Sequence, residues 1–228
     1  MKKSIFISVV SICLLNSCLK TNDPTIPVFI YGIYDKQGSD YYILCDDGEK
    51  DLLINATKPD STIGNRFYVE GNLQMNAPAG YAAIVKVIRM EQVLVCSPQM
   101  LANQSAVNNL GMTGIDFEPA KMMSYWGKYV NIMFNYVATD VSKHTFSYAI
   151  DTSTEKFNTN KVTIYLRHSK GNDDVFGDKK QLEKCFTSLD LTDIFNKMQS
   201  KKFTLVIKYI NIYDSEQETT CEVENTNM

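Results

Sequence analysis

Histidine is nearly missing from this chain of 228 residues: only His144 and His168 are present. Neither has a second histidine, a cysteine or a carboxylate at a metal-binding spacing such as H-x-x-x-H or C-x-x-C. Each lies on the apolar parity of a predicted strand, near its end. There a histidine with one satisfied hydrogen bond needs no further role. Also missing are the G-x-S-x-G turn of serine hydrolases, S-x-x-K in a strand-to-helix setting and the G-x-x-x-x-G-K phosphate loop. No catalytic residue, cofactor or metal is therefore expected. Basic charge is not in excess either. The formal net charge is −3, so charge does not draw the chain to nucleic acid or anionic lipid. No apolar run approaches the ~20 residues that a membrane-spanning helix needs.

The one apolar run stands at the N-terminus. Lys2 and Lys3 precede Ile5–Leu15, which has the length of a signal-peptide h-region, about 7–15 residues. The run closes on Leu15-Asn16-Ser17-Cys18, which resembles the lipobox of a bacterial lipoprotein. Removal of residues 1–17 would leave Cys18 to carry lipid, and loss of Lys2 and Lys3 would take the formal charge from −3 to −5. Several acyl chains, at ~0.8 kcal/mol per buried methylene, would make a stable anchor. The competing reading is an ordinary cleaved secretory signal with Cys18 incidental. Residues 19–27, LKTNDPTIP, read as an extended tether that completes an 18–27 segment.

Cys13 leaves with the signal, so four cysteines remain for the body: Cys45, Cys96, Cys185 and Cys221. Export implies an oxidising compartment in which they could pair. Two fall in each half, which favours Cys45–Cys96 and Cys185–Cys221 as disulfides. Their wide, unpatterned spacing speaks more for four buried thiols acting as small hydrophobes.

From Val28 onward the pattern is β. Strands are predicted at Val28–Asp35, Tyr41–Cys45, Asp51–Asn55, Arg66–Met75 and Tyr81–Val95, the last long enough for a bent strand or two strands. Asp46-Asp47-Gly48 reads as a hairpin turn, because glycine accepts positive φ. Five short strands in about 70 residues point to a small OB-like barrel over 28–97. Residues 98–115, rich in Pro, Asn, Gly and Ser, read as a linker, with at most a helical turn at Met100–Val107. Strands then resume at Lys128–Tyr136, Lys143–Ile150, Lys161–His168, Cys185–Asp190, Phe203–Tyr213 and Glu218–Glu224. Leu191, Ile194, Phe195 and Met198 have helical spacing, with Asp190 placed to cap the first turn. The fold class is all-β: the barrel, then a β-sandwich over 116–226 with one short helix.

Few residues offer chemistry. Asp173, Asp174 and Asp178 could form a calcium loop, but the D-x-D-x-D-G spacing and terminal glutamate are absent, so a solvated acidic loop is favoured. Trp126, the single tryptophan, stands with Tyr125 and Tyr129. These three could stack against a sugar or a partner side chain, or Trp126 could simply fill the edge of the sandwich core. The aromatic residues of the barrel could serve stacking of single-stranded nucleic acid, but residues 28–96 carry six basic against nine acidic side chains, and such binding needs a basic groove.

The segments WGKYVNIMFNY (126–136), Phe146–Ile150, VTIYLRHSKGNDD (162–174), CFTSLDL (185–191) and Phe203–Tyr213 resemble the C-terminal β-sandwich of NigD-like lipoproteins. Tyr41–Gly48 and Gly64–Val69 resemble that family's OB-like N-terminal domain. Arg167-His168 followed by Asp173-Asp174 is the most specific part, whereas Cys45 and the segment 191–198 depart from the commoner pattern. The resemblance implies a lipid-anchored protein of the Gram-negative envelope, in its outer membrane, from anaerobic bacteria of gut and mouth. It implies no catalytic residue. The family is named for a gene beside a bacteriocin, so immunity through binding a toxin or another envelope protein is the leading expectation. Lys20 to Asp23 faintly resembles a surface-export tag. A glycan-binding module is the alternative. A hydrolase would require a deep cleft with convergent carboxylates.

Overall fold

A computed structural model describes residues 26–74, 76–157, 160–176 and 178–225. Cys18 and nearly all of the tether expected at 18–27 lie outside these residues. Among the described residues no helix is long and apolar enough to cross a membrane.

The first unit is a closed barrel of β1 (Ile26–Gln37), β2 (Asp40–Cys45), β3 (Lys50–Ile54), β4 (Arg66–Gln74) and β5 (Ala83–Gln92). Its strand order is β1-β2-β3-β5-β4, and the β3–β5 pair is parallel. Alternate side chains point inward, so Tyr34, Ile43, Leu53, Phe67, Val69 and Val85 meet in one small core. Strand β1 pairs with β4 along Ile26–Ile33 and with β2 from Gly32 onward. Gly32 sits where the two ladders overlap. A Cβ there would lie 2.4 Å from the Leu44 carbonyl oxygen, so closure at this point needs a glycine. Gly48 has φ of 84°, as the β2–β3 turn requires.

The second unit packs two sheets. One has the order β14-β13-β11-β10-β7 and the other β6-β12-β9-β8. The strands are β6 (Leu94–Cys96), β7 (Gln99–Leu101), β8 (Met123–Trp126), β9 (Tyr129–Ala138), β10 (Thr145–Asp151), β11 (Lys161–Ser169), β12 (Gln181–Asp190), β13 (Lys202–Ile210) and β14 (Glu216–Glu224). Alternate residues are buried in the core: Val130, Ile132, Phe134 and Tyr136 on β9, and Phe203, Leu205, Ile207 and Tyr209 on β13. The unit also has short helices α1 (Gln104–Asn108), α2 (Pro119–Met122) and α3 (Thr192–Phe195). The expected helical face is buried too, although α3 is shorter than 191–198. Asp190 Oδ1 accepts from the Thr192 backbone N–H at 2.9 Å, which ties the helix start to β12.

The linker reading of 98–115 and the barrel assignment of 94–97 need correction. Strand β6 pairs in parallel with β12, and β7 in parallel with β10. One stretch of chain thus leaves the barrel and edges both sheets in turn. Asn103 Oδ1 caps α1 by accepting from the Ala106 N–H at 2.9 Å, and Val107 packs on Ala149 and Tyr165. Ile115 and Phe117 lie in the sandwich core. Three residues suffice for an edge strand, and its partner is supplied by tertiary structure, so turn-rich local composition hides it.

Candidate functional site

The two units meet on the outward face of β9 and β12. The barrel covers part of that face. Arg66, the first residue of β4, is 4% exposed. Its Nη1 donates to Asp46 Oδ1 at 2.6 Å, its Nε to Ser188 Oγ at 2.8 Å and its Nη2 to Asn131 Oδ1 at 2.9 Å. Asn131 Nδ2 donates back to Asp46 Oδ2 at 3.1 Å. The guanidinium also lies 4.0 Å from the Tyr129 ring centre. One cation thus joins the β2–β3 hairpin to both middle strands of the four-stranded sheet. Beside it Tyr68 stacks on Phe186 at 4.5 Å, within a small apolar cluster that includes Val93, Tyr31 and Met133.

Next to this junction opens a cleft of about 770 Å³, lined by the first half of β1, the β2–β3 hairpin and β8. Phe29, 65% exposed, and Trp126, 52% exposed, contribute to its walls. Trp126 therefore does not fill the edge of the sandwich core; it stands on edge strand β8 beside the hairpin. Tyr125 also lines the cleft, but its hydroxyl is engaged, donating to the Glu224 carbonyl at 2.8 Å and accepting from the Glu224 N–H at 3.1 Å. Tyr129 faces a neighbouring pocket of about 360 Å³ that it shares with Trp126, Arg66 and Asp46. The three aromatic residues singled out in the sequence thus gather at one inter-domain edge. Phe29, Tyr31 and the hairpin acids had no sequence signal tying them to Trp126.

Four carboxylates line the cleft: Asp46, Asp47, Glu49 and Asp51. Asp46 is held by Arg66 and Asn131. Asp47 Oδ1 accepts from the Glu49 N–H at 2.9 Å and braces the turn. Asp51 is buried, which raises its pKa, and accepts from Cys45 Sγ at 3.6 Å. Three of the four are thus engaged by the fold.

The histidines have a structural place. His144 Nε2 contacts Asp173 Oδ2 at 3.0 Å, and His144 Nδ1 contacts His168 Nε2 at 2.8 Å. Asp173 Oδ2 also accepts from the Thr139 N–H at 2.7 Å. All three side chains are buried, and His168 stacks on Phe146 at 4.6 Å. The hydrogen bond from His144 holds the Asp173 carboxyl down at about 2. Burial, with His144 beside it, lowers His168 to about 4. This chain of contacts links the loop after β11 to the start of β10. It gives the spacing of His168 and Asp173 a structural role. Asp173 turns inward and Asp174 caps the Phe176 N–H, so the loop does not converge on a cation. No metal-holding cluster occurs among the described residues.

Cys45, Cys96, Cys185 and Cys221 are free thiols. The disulfides considered, Cys45–Cys96 and Cys185–Cys221, are not formed. The first pair would join the barrel to β6, and the second would join β12 to β14 of the opposite sheet. Burial pushes Cys96 and Cys221 up to about 11 and Cys185 up to about 12, far from the range of a reactive thiolate.

A closed five-stranded barrel locked to a nine-stranded sandwich, with an aromatic and acidic cleft at the join, defines a two-domain β architecture. The model of the NigD-like C-terminal beta sandwich domain matches residues 108–223, and the chain belongs to the NigD-like family. No curated protein matches it. Among solved structures, a protein of unknown function from Bacteroides vulgatus is similar at TM-score 0.68 and 15% identity, over 88% of this chain and 92% of that one. A NigD-like immunity protein from Bacteroides caccae is similar at TM-score 0.61 and 14% identity, over 90% and 99%. A candidate lipoprotein from Bacteroides fragilis is similar at TM-score 0.61 and 12% identity, over 88% and 99%. At these identities the likeness is one of fold.

Proposed function

We propose that this protein is a lipid-anchored, non-enzymatic protein of the Gram-negative envelope, held in the outer membrane through Cys18. In this reading it binds a protein partner in the cleft between barrel and sandwich. The observation that carries it is the cleft itself. Exposed Phe29 and Trp126 offer the large, rigid contact area that protein interfaces use as anchors. A bacteriocin is the partner class that the family resemblance implies, and a structural neighbour is named an immunity protein. The test is deletion of the gene followed by challenge with bacteriocins from related strains. Increased sensitivity to one toxin, restored by the wild-type gene and not by Trp126→Ala, is the expected result. Unchanged sensitivity to every toxin refutes the immunity reading.

A second reading is favoured by Trp126 alone. An exposed indole beside carboxylates can stack on a sugar ring while the acids accept its hydroxyls. A glycan array in which the wild type binds and Trp126→Ala does not would establish it.

A further inference from the structure

Among the described residues, both long walls of the cleft are strands with an unused side. Strand β8 there has a single sheet neighbour, β9, through Met123–Trp126. Strand β1 there pairs only with β4 along Ile26–Tyr31, because its pairing with β2 begins at Gly32. An exposed strand edge is a template for another extended chain. The charge of the cleft is equally one-sided. Among the described residues its lining holds Asp46, Asp47, Glu49 and Asp51 and no lysine or arginine. Arg66 offsets Asp46 from behind, and Asp47 and Glu49 remain exposed at the rim. Phe29 and Trp126 add open π-faces, which attract cationic groups.

We infer that the cleft takes an extended basic peptide segment of a partner protein, added as a strand to the edge of β8. Its lysine or arginine side chains face Asp47, Glu49 and the ring of Trp126. This inference rests on the reading of the cleft as a protein-binding site and specifies the partner's chemistry. The backbone of the guest would bond to the strand edge, which gives affinity without sequence preference. The acids at the rim would select its charge.

The experiment uses the soluble chain without its first 17 residues and follows emission from Trp126. The probe is a peptide of about ten residues, a common strand length, alternating Lys or Arg with Val. Controls are the same peptide with Glu at the charged positions, the basic peptide N-methylated at alternate residues, and neutral oligosaccharides. Saturable binding of the basic peptide is expected, weakening with salt as exposed charges are screened. N-methylation should abolish it, and Asp47→Lys with Glu49→Lys should weaken it by about tenfold or more. Both substitutions are exposed turn positions, and a far-ultraviolet spectrum checks that the fold survives. Equal binding of basic and acidic peptides overturns the charge inference while leaving a protein-binding cleft. Undiminished binding of the N-methylated peptide overturns strand addition. Binding of oligosaccharide alone overturns both this inference and the protein-binding reading. No binding of any probe overturns the inference, while the toxin challenge still decides the proposed function.

Discussion

Replacement of Arg66 by Met is the sharpest test of how the two units are joined. Methionine keeps much of the apolar stem that packs across the junction and removes the charge. The Asp46 side chain is 10% exposed and that of Arg66 3%, so the carboxylate would be left with little water to replace the guanidinium. Asn131 and Ser188 would lose a donor at the same time. Removing one partner of a buried ion pair costs about 3–5 kcal/mol. Against a typical net stability of about 5–15 kcal/mol, that is a large share. The loss should fall on the coupling between units, because the contacts of Arg66 span the β2–β3 hairpin, β9 and β12. Urea unfolding followed by Trp126 emission reports on the sandwich edge, and far-ultraviolet dichroism reports on both units. In the wild type the two curves should coincide. In Arg66→Met the midpoint should drop and the curves should separate. The double variant with Asp46→Asn should lose less than the sum of the single variants, by about 0.5–3 kcal/mol. A loss under about 1 kcal/mol, of the size expected for a surface pair, would refute the claim that Arg66 locks the junction. So would strict additivity.

Gly32→Ala should destabilise the barrel by about 1–3 kcal/mol, as overpacking does, because its Cβ would sit 2.4 Å from the Leu44 carbonyl oxygen; an unchanged melting temperature would contradict this. Acid should weaken the sandwich through His168, whose pKa falls from 6.5 to about 4 on folding. Between those values the unfolded chain binds more protons, so stability rises with pH, full above 6.5 and reduced by up to about 3 kcal/mol near pH 4. Asp173, lowered from 3.8 to about 2, adds a further loss as pH falls from 3.8 through 2. His168→Phe should flatten the pH dependence of urea midpoints between 4 and 6.5, and an unaltered slope would exclude His168 as its source. Cys18→Ala should move the protein from the membrane to the soluble fraction with the fold intact; unchanged fractionation would remove the lipid anchor from the proposal.

Strand identity was legible because period-2 alternation is a local property. The inward row of β9, Val130 to Tyr136, and that of β13, Phe203 to Tyr209, can be read without knowing any partner. The outward row of β9 could not be read. Asn131 and Met133 follow the polar parity, yet the barrel covers them through Arg66 and Tyr68. Strand β6, read as the end of the Tyr81–Val95 segment, belongs to the sandwich because β12 stands beside it. Strand β7 was hidden, since three residues beside a proline and asparagines look like a loop until β10 pairs with them.

The sequence by itself determined the all-β class, the order of barrel and sandwich and the family resemblance. Each of these rests on spacing along one strand or one motif. It also holds the stretch Lys2–Cys18 that resembles a lipoprotein signal and lies before the described fold. Only the tertiary structure decided the cleft. Trp126, Phe29 and the acids of the β2–β3 turn are far apart in the chain. They share one surface because Arg66, buried against Asp46, Asn131 and Ser188, sets the barrel on the sandwich. A docking of two units is a property of surfaces, and no periodicity within either unit encodes which faces will meet.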